Sequence, residues 1–174
     1  TDGLNVSGVL TTASLSSPVI SGFNRLQAPH GGTTTIEVKV ATKVSGQHRY
    51  HGSGSSLGYV LDDVQSPFLT LTPGRTYRFD TSDSSNSGHP FRFYLDVDKT
   101  YAYTTGVTVA GTAGNSGSYT EITISDTTPD VLHYQCSAHG KMGNAVTTNS
   151  NTVNTPHDAV FEGLLNAKGN VDLG

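Results

Sequence analysis

The stretch VLHYQCSAHGKMG, residues 131–143, combines an alternating apolar pattern with several possible metal ligands. Leu132 and Cys136 have the same parity in its first six residues, so a strand here buries both side chains on one face. Cys136 also begins a run of possible metal ligands, spaced C-x2-H-x2-M, that continues with His139 and Met142. The sequence therefore predicts a strand that runs directly into a short loop carrying metal ligands.

Strand patterns of the same kind extend through the middle of the chain, residues 33–148. Val, Ile, Thr, Tyr and Phe dominate its short alternating stretches, which favours strands over helices. The apolar residues that share a face in these stretches are Ile36, Val38, Val40, Tyr77, Phe79, Phe91, Phe93 and Leu95. Clusters of Gly, Pro, Asn and Asp separate the stretches, and no long amphipathic helix pattern occurs. We therefore predict one all-β domain, a sandwich or a barrel, over residues 33–148.

The two ends of the chain, residues 1–32 and 149–174, are rich in small polar residues and predict short β-rich flanks with little core of their own. The sequence DGLNVSGVL from Asp2 is similar to EGLLNAKGNVDL from Glu162. Two explanations stay open: the domain is inserted into a repetitive fibrous chain, or the ends are two ordinary β-hairpin tails. Because the chain begins at Thr1, we expect that it was processed or excised from a longer protein.

Charge and hydropathy exclude several classes of partner. The net charge is −4, and the 10 Lys and Arg residues are scattered, so no basic surface for nucleic acid or an anionic membrane is expected. No segment is long and apolar enough to insert into a membrane, and no signal-peptide pattern occurs. The single cysteine, Cys136, excludes an internal disulfide.

A fourth ligand is expected from NSGHPFRFY, residues 86–94. His89 has the parity of Phe91, so its ring is predicted to point inward from the end of its strand. His133 has the opposite parity to Cys136 and is predicted to face outward. We therefore select His89, and not His133, as the histidine that completes the site.

Two imidazoles, one thiolate and one thioether are the ligand set of a blue-copper electron-transfer site, and here they come from His89, Cys136, His139 and Met142. Thiolate and thioether are soft ligands that favour Cu(I), whereas imidazole suits both oxidation states. A trigonal set with a weak axial Met fits neither state ideally, so single-electron exchange is easy. We expect one copper ion. Zinc is the alternative, because it accepts two His and one Cys plus a water molecule.

The other histidines support weaker interpretations. His48 and His51 are spaced to ligate a second metal, but the Gly/Ser-rich segment after them favours a solvated loop. His30 and His157 are expected at the surface. No EF-hand spacing, phosphate-binding loop or serine nucleophile motif occurs, and the His-x-His pairs of copper oxidases are absent from the sequence. The prediction is a binding protein and not an enzyme.

Residues 134–143 resemble the ligand loop of small cupredoxins, the group of plastocyanin, amicyanin and pseudoazurin. The similarity extends over about residues 57–148 and implies a Greek-key β-sandwich of cupredoxin type that binds copper through the four residues above. Family members commonly have Asn after the first histidine, whereas this chain has Pro90. Pro90 and Tyr134 are the residues expected to support the ligands from behind.

A broader resemblance is to a module of virion structural proteins of marine cyanophages. The matching segments are RTYRFDTSDSSNSGHPFRFY from Arg75, TTGVTVAGTAGNSGSYTEITI from Thr104 and LHYQCSAHGKMGNA from Leu132. This implies a tail or fibre protein, in the virion or outside the cell, that forms a homo-oligomer such as a trimer. The alternative is a free single-electron carrier, secreted or periplasmic, with an unidentified redox partner. Gly140 and Lys141 give such a carrier little apolar docking surface.

Overall fold

The computed structural model describes residues 32–150 and shows two β-sheets that pack face to face. The predicted all-β sandwich is confirmed for this part of the chain. The predicted flanks, residues 1–32 and 149–174, lie outside the described residues except for Gly32, Asn149 and Ser150, and His30 and His157 lie outside them as well. No helix in residues 32–150 is long and apolar enough to cross a membrane.

Eleven strands and one 3₁₀ helix make up the regular structure of the described residues. In chain order they are β1 (Thr33–Thr42), β2 (Leu57–Leu61), β3 (Val64–Gln65), β4 (Leu69–Thr70), β5 (Thr76–Asp80), the 3₁₀ helix (Ser84–Asn86), β6 (Phe91–Tyr94), β7 (Ala102–Tyr103), β8 (Val107–Ala110), β9 (Tyr119–Thr123), β10 (Val131–Cys136) and β11 (Asn144–Thr147). The first sheet has the order β3-β2-β1-β5-β9-β8, and the second has the order β4-β11-β10-β6-β7.

The chain changes sheet repeatedly. It leaves the second sheet after β7, forms the β8–β9 hairpin in the first sheet, and returns as β10 beside β6. Such returns to a non-consecutive neighbour are the feature of Greek-key sandwiches. They bring β6 and β10, which are far apart in the sequence, into direct contact as antiparallel strands.

Aromatic rings from both sheets form the centre of the core. Phe79 of the first sheet stacks on Phe91 of the second, with ring centroids 4.6 Å apart. Phe91 also stacks on Tyr134, at 5.3 Å. The buried residues of this cluster alternate along each strand, as the sequence predicts. They are Val38, Tyr59, Leu61, Leu71, Tyr77, Phe79, Phe91, Phe93, Ile122, Ile124, Leu132, Tyr134, Cys136, Met142 and Val146.

The 3₁₀ helix Ser84–Asn86 lies against the edge of β1. Asn86 is fully buried and donates through Nδ2 to the carbonyl of Val38 at 2.6 Å, while the Ser85 hydroxyl accepts from Val40 N at 2.9 Å. The 3₁₀ helix also contacts the segment that precedes β6, because the Asn86 carbonyl accepts a hydrogen bond from His89 N at 2.8 Å. The helix therefore satisfies backbone groups of β1 and fixes the segment that carries His89.

Candidate metal centre

Three side chains from separate points of the chain meet at the end of the β6–β10 pair: His89, Cys136 and His139. Their donor atoms all lie within 4.8 Å of one another. Cys136 Sγ lies 3.8 Å from Nδ1 of His89 and 3.6 Å from Nδ1 of His139. The ring centroids of the two histidines are 4.6 Å apart. The fold thus brings together three of the four residues that the sequence predicts as ligands.

The spacing of these donor atoms fits a bound metal ion. An ion about 2.3 Å from sulfur and about 2.1 Å from nitrogen, with its three donors in one plane, separates the sulfur from each nitrogen by about 3.8 Å. The two sulfur–nitrogen distances, 3.8 and 3.6 Å, are close to this value. The atoms also suit the ion chemically, because sulfur and imidazole nitrogen are ligands of copper and zinc.

The register of β6 and β10 explains why a distant histidine reaches the ligand loop. Cys136 is paired with Phe91, and His89 lies two residues before Phe91 on the same face. Ser137 N then donates to the Pro90 carbonyl at 3.0 Å. Pro90, which the sequence predicts to support the metal ligands, therefore contacts the ligand loop through its backbone carbonyl. This contact does not need the Asn side chain that is common at this position in cupredoxins.

The two histidines differ in exposure. His89 is partly buried, whereas His139 is exposed. Burial, and after it the imidazole of His139, lower the pKa of His89. His89 is therefore neutral near pH 7, and the neutral ring is the form that binds a metal. His139 is the member of the cluster that solvent reaches, so it forms the outer edge of the candidate site.

Met142, the predicted axial ligand, is fully buried in the same core cluster as Cys136. Its carbonyl oxygen accepts from Tyr59 N at 2.8 Å and from His48 Nε2 at 3.2 Å. These two bonds fix the backbone from which the thioether extends. That the thioether sulfur binds a metal stays a prediction.

Tyr59 is a residue that no sequence pattern connects with the site, yet it contacts both the segment that carries His89 and the loop that carries Met142. Its hydroxyl donates to the His89 carbonyl at 2.9 Å, and its backbone N–H binds the Met142 carbonyl. Burial, followed by the neighbouring Cys136, raises the pKa of Tyr59 well above its ordinary value, so the hydroxyl stays protonated. The alternation in β2 identifies a core tyrosine, but its bond to a carbonyl 30 residues away leaves no pattern in the sequence.

Tyr134, the second predicted support, lies two residues before Cys136 in β10. Its ring is fully buried and stacks on Phe91 at an interplanar angle of 12°. Its hydroxyl donates to the Pro67 carbonyl at 2.6 Å. The ring therefore packs beneath the strand end that presents the cysteine.

The prediction of a solvated loop at His48 and His51 is wrong for His48, which is only 4% exposed. Its Nδ1 accepts from Tyr50 N at 3.0 Å, and its Nε2 lies 3.2 Å from the Met142 carbonyl. A carbonyl can only accept, so the proton is on Nε2 and both ring nitrogens are engaged. Burial lowers the pKa of His48, which agrees with a neutral ring. His48 therefore supports the ligand loop and has no nitrogen free for a metal, while His51 is exposed as predicted.

The connection between β1 and β2, residues 43–56, packs along the ligand loop. Ser55 N donates to the Gly140 carbonyl at 3.0 Å, and Lys141 Nζ donates to the Ser53 hydroxyl at 3.1 Å. Together with the His48 contact, these bonds hold the loop at three consecutive residues, Gly140, Lys141 and Met142. Most of this segment is exposed, as the sequence predicts, but His48 and the backbone near Ser55 pack against the ligand loop.

His133 lies outside the cluster of donors, on the face of β10 opposite to the core, as its parity predicts. That face is partly covered, and His133 Nδ1 is buried without a hydrogen-bond partner. Burial lowers the pKa of His133, and the positive charge of Arg49 lowers it further, while Asp96 acts in the opposite direction.

Comparison with known proteins gives remote similarities only. No protein family matches the chain, and no curated protein matches it. It is similar to a solved structure of reduced rusticyanin at 17% identity and a TM-score of 0.36, with 68% of this chain and 81% of that chain covered. It is also similar to the McoA multicopper oxidase of Aquifex aeolicus at 22% identity and a TM-score of 0.36, with 70% of this chain and 27% of the oxidase covered. The chemistry assigned to the site rests on its own side chains.

Proposed function

We propose that residues 33–148 form a copper-binding domain of cupredoxin type, which holds one copper ion through His89, Cys136 and His139 with Met142 as a weak axial ligand. The observation that carries this proposal is the convergence of one thiol and two imidazole Nδ1 atoms within 4.8 Å. Soft sulfur beside imidazole is the ligand combination that copper prefers, and it is the combination of blue-copper sites.

A copper ion held by these residues supplies one-electron chemistry through its Cu(I) and Cu(II) states. The chain's own contribution is to fix the ligands. Tyr59 and Pro90 hold the two backbone segments in place through hydrogen bonds, while the buried thiol of Cys136 is kept away from water. Because these neighbours hold the residues without the metal, they would limit any change in their positions between the two oxidation states of a bound copper ion.

We infer a role in binding copper and transferring electrons, and not in catalysis. The described residues offer one cluster of donors, at His89, Cys136 and His139. Copper oxidases need further copper ligands, and the His-x-His pairs that supply them are absent from the sequence.

We further propose that this domain is part of a virion structural protein, in a homo-oligomer such as a trimer. Two features of the sequence support the proposal: the resemblance of three segments to modules of cyanophage fibre proteins, and the similarity between the stretches that begin at Asp2 and Glu162. A free secreted or periplasmic electron carrier is the alternative. The mass of the full chain in solution separates the two, since a stable monomer contradicts the fibre protein.

The copper site is tested by adding Cu(II) to the metal-free protein and recording the visible spectrum. We expect an intense thiolate-to-copper absorption band at one equivalent of copper, because the sulfur is a direct ligand. The Cys136→Ala variant is expected to lose the band completely, and His89→Ala to weaken both the band and copper affinity.

The matched control is His51→Ala, which removes an exposed imidazole outside the cluster and should leave the band unchanged. A weak ligand-field spectrum in the wild-type protein contradicts the blue-copper assignment. If zinc competes equally with copper for the site, the blue-copper assignment is contradicted as well.

A further inference from the structure

Lys99 lies in the turn between β6 and β7, a segment without any sequence pattern that indicates a functional residue. The turn is held by the carboxylate of Asp96, which accepts from Thr100 N at 3.1 Å and from Tyr101 N at 2.9 Å. Lys99 itself has a positive φ of 66°. This ordered turn directs the lysine side chain across the sheet end towards the ligand loop.

The ammonium group of Lys99 contacts three backbone carbonyls of the ligand loop. Nζ lies 3.0 Å from the carbonyl oxygen of Cys136, 3.2 Å from that of Ser137 and 3.3 Å from that of His139. An ammonium has three N–H donors, so each carbonyl can receive one of them. Two of these carbonyls belong to residues proposed as copper ligands, Cys136 and His139. The lysine therefore holds the backbone of the ligand loop near both of them.

Lys99 forms no ion pair with a carboxylate of residues 32–150. The Lys39 and Arg78 side chains, by contrast, do pair with carboxylates, Lys39 with Glu37 and Asp63 and Arg78 with Glu121. The Asp96 carboxylate in the same turn binds backbone N–H groups. The charge therefore acts on the polar backbone of the loop, and through it on the group that the loop binds.

We propose that Lys99 is a positioning residue of the metal centre, which closes the ligand loop and raises the reduction potential of the bound copper. Reduction adds one electron from an external donor and lowers the charge of the ion by one, without breaking a bond. A fixed positive charge beside the ligands disfavours Cu(II) more than Cu(I), so it favours the reduced state. This inference rests on the proposed function.

The test compares three substitutions at this position with one elsewhere. Lys99→Met removes both charge and donors, Lys99→Gln removes the charge but keeps an N–H donor, and Lys99→Arg keeps the charge. Lys39→Met, which removes a half-buried, ion-paired lysine of the other sheet, is the charge-matched control. The midpoint potential is measured at fixed ionic strength by titration with one-electron mediators.

We expect the potential to fall in Lys99→Met and Lys99→Gln, to stay near the wild-type value in Lys99→Arg, and to be unchanged in Lys39→Met. The thiolate-to-copper band should persist in all four variants, because no ligand is altered. If Lys99→Gln and Lys39→Met have the same potential, the electrostatic role of Lys99 is wrong even though copper binding stands.

A second measurement tests the closing of the loop and does not need copper. Amide hydrogen exchange of residues 137–141 in the metal-free protein is expected to be faster in Lys99→Met than in Lys39→Met. Equal exchange rates in the two variants contradict the closing role. If instead the wild-type protein shows no intense band with copper, the proposed function fails, and the exchange result still decides whether Lys99 closes the loop.

Discussion

Met142 contacts its surroundings in two separate ways. The carbonyl is held by Tyr59 and His48, whereas the side chain is fully buried in the core. The backbone bonds remain when the side chain is changed. A substitution at Met142 therefore tests the thioether alone, provided that the new side chain fills the same volume.

Met142→Leu conserves volume, and we expect it to lower the unfolding free energy of the metal-free protein by less than about 1.5 kcal/mol. Met142→Ala leaves a cavity and should lower it by about 2–5 kcal/mol. Because an axial bond is weak, Leu should keep the intense band and most of the copper affinity but shift the midpoint potential. Spectra, copper titration and thermal unfolding measure the three effects. Complete loss of copper binding in Met142→Leu contradicts the axial assignment.

The ligand types and their strand parity could be predicted from the sequence, because both depend on residues close together in the chain. Parity placed His89 inward and His133 on the opposite face, as observed. The supporting contacts could not be predicted. Lys99, Tyr59 and His48 bind backbone carbonyls of remote residues, and such acceptors are present at every position of a sequence. The prediction for His48 is wrong because the nearby Gly and Ser residues indicate a loop but do not show which residues pack against it.

At the scale of elements, the ligand loop depends on a close approach between β10 and the start of β11. Gly143 lies so near to Tyr134 that a Cβ atom at this position would overlap the Tyr134 carbonyl oxygen and lie 2.6 Å from its ring. Gln135, which is fully buried, accepts from Gly143 N through Oε1 at 3.1 Å. Only glycine fits at this position. Its close approach to Tyr134 lets the chain turn back within a short loop between Cys136 and Met142.

Gly143→Ala is expected to destabilise the protein by about 1–3 kcal/mol, because backbone atoms of β10 must move to admit the methyl group. Since the loop would shift with them, copper affinity should fall as well. Gly140→Ala in the same loop is the control, for a Cβ there meets nothing within 4 Å. Unfolding by denaturant and copper titration measure both variants, and equal stability of the two would show that the hairpin tolerates the shift.

At the scale of the whole molecule, the site exists only when the sandwich is complete. His89 and Cys136 become neighbours through the β6–β10 pairing, and the chain between them crosses to the other sheet and back. Contacts between residues so distant in sequence form slowly, because a long loop must close first. The metal-free protein therefore has to fold before its ligands are in place, and its own stability limits copper uptake.

That stability should decrease in mild acid, in part through His133. Its pKa is lowered in the folded state by burial, then by Arg49, and Asp96 offsets part of the effect. The unfolded chain takes up a proton near pH 6.5, before the folded protein does. Stability from this residue is thus complete above pH 6.5 and lost as the pH falls through the folded-state pKa, with a slope of at most about 1.4 kcal/mol per pH unit.

His133→Gln cannot gain this charge, so its unfolding free energy should fall less than that of the wild type between pH 7 and about pH 5.5. Denaturant unfolding of the metal-free protein at a series of pH values gives the two curves. Parallel curves would mean that His133 does not contribute to acid sensitivity.

The burial of Cys136 also limits the reactions of its thiol with other thiols and with alkylating reagents. The chain has a single cysteine, and its side chain has no accessible surface in the folded state. Two folded copies therefore cannot be crosslinked through their thiols, and bulky alkylating reagents or glutathione cannot reach the sulfur until the fold opens. Thiol–disulfide exchange thus leaves the Cys136 thiol intact for as long as the β-sandwich stays closed.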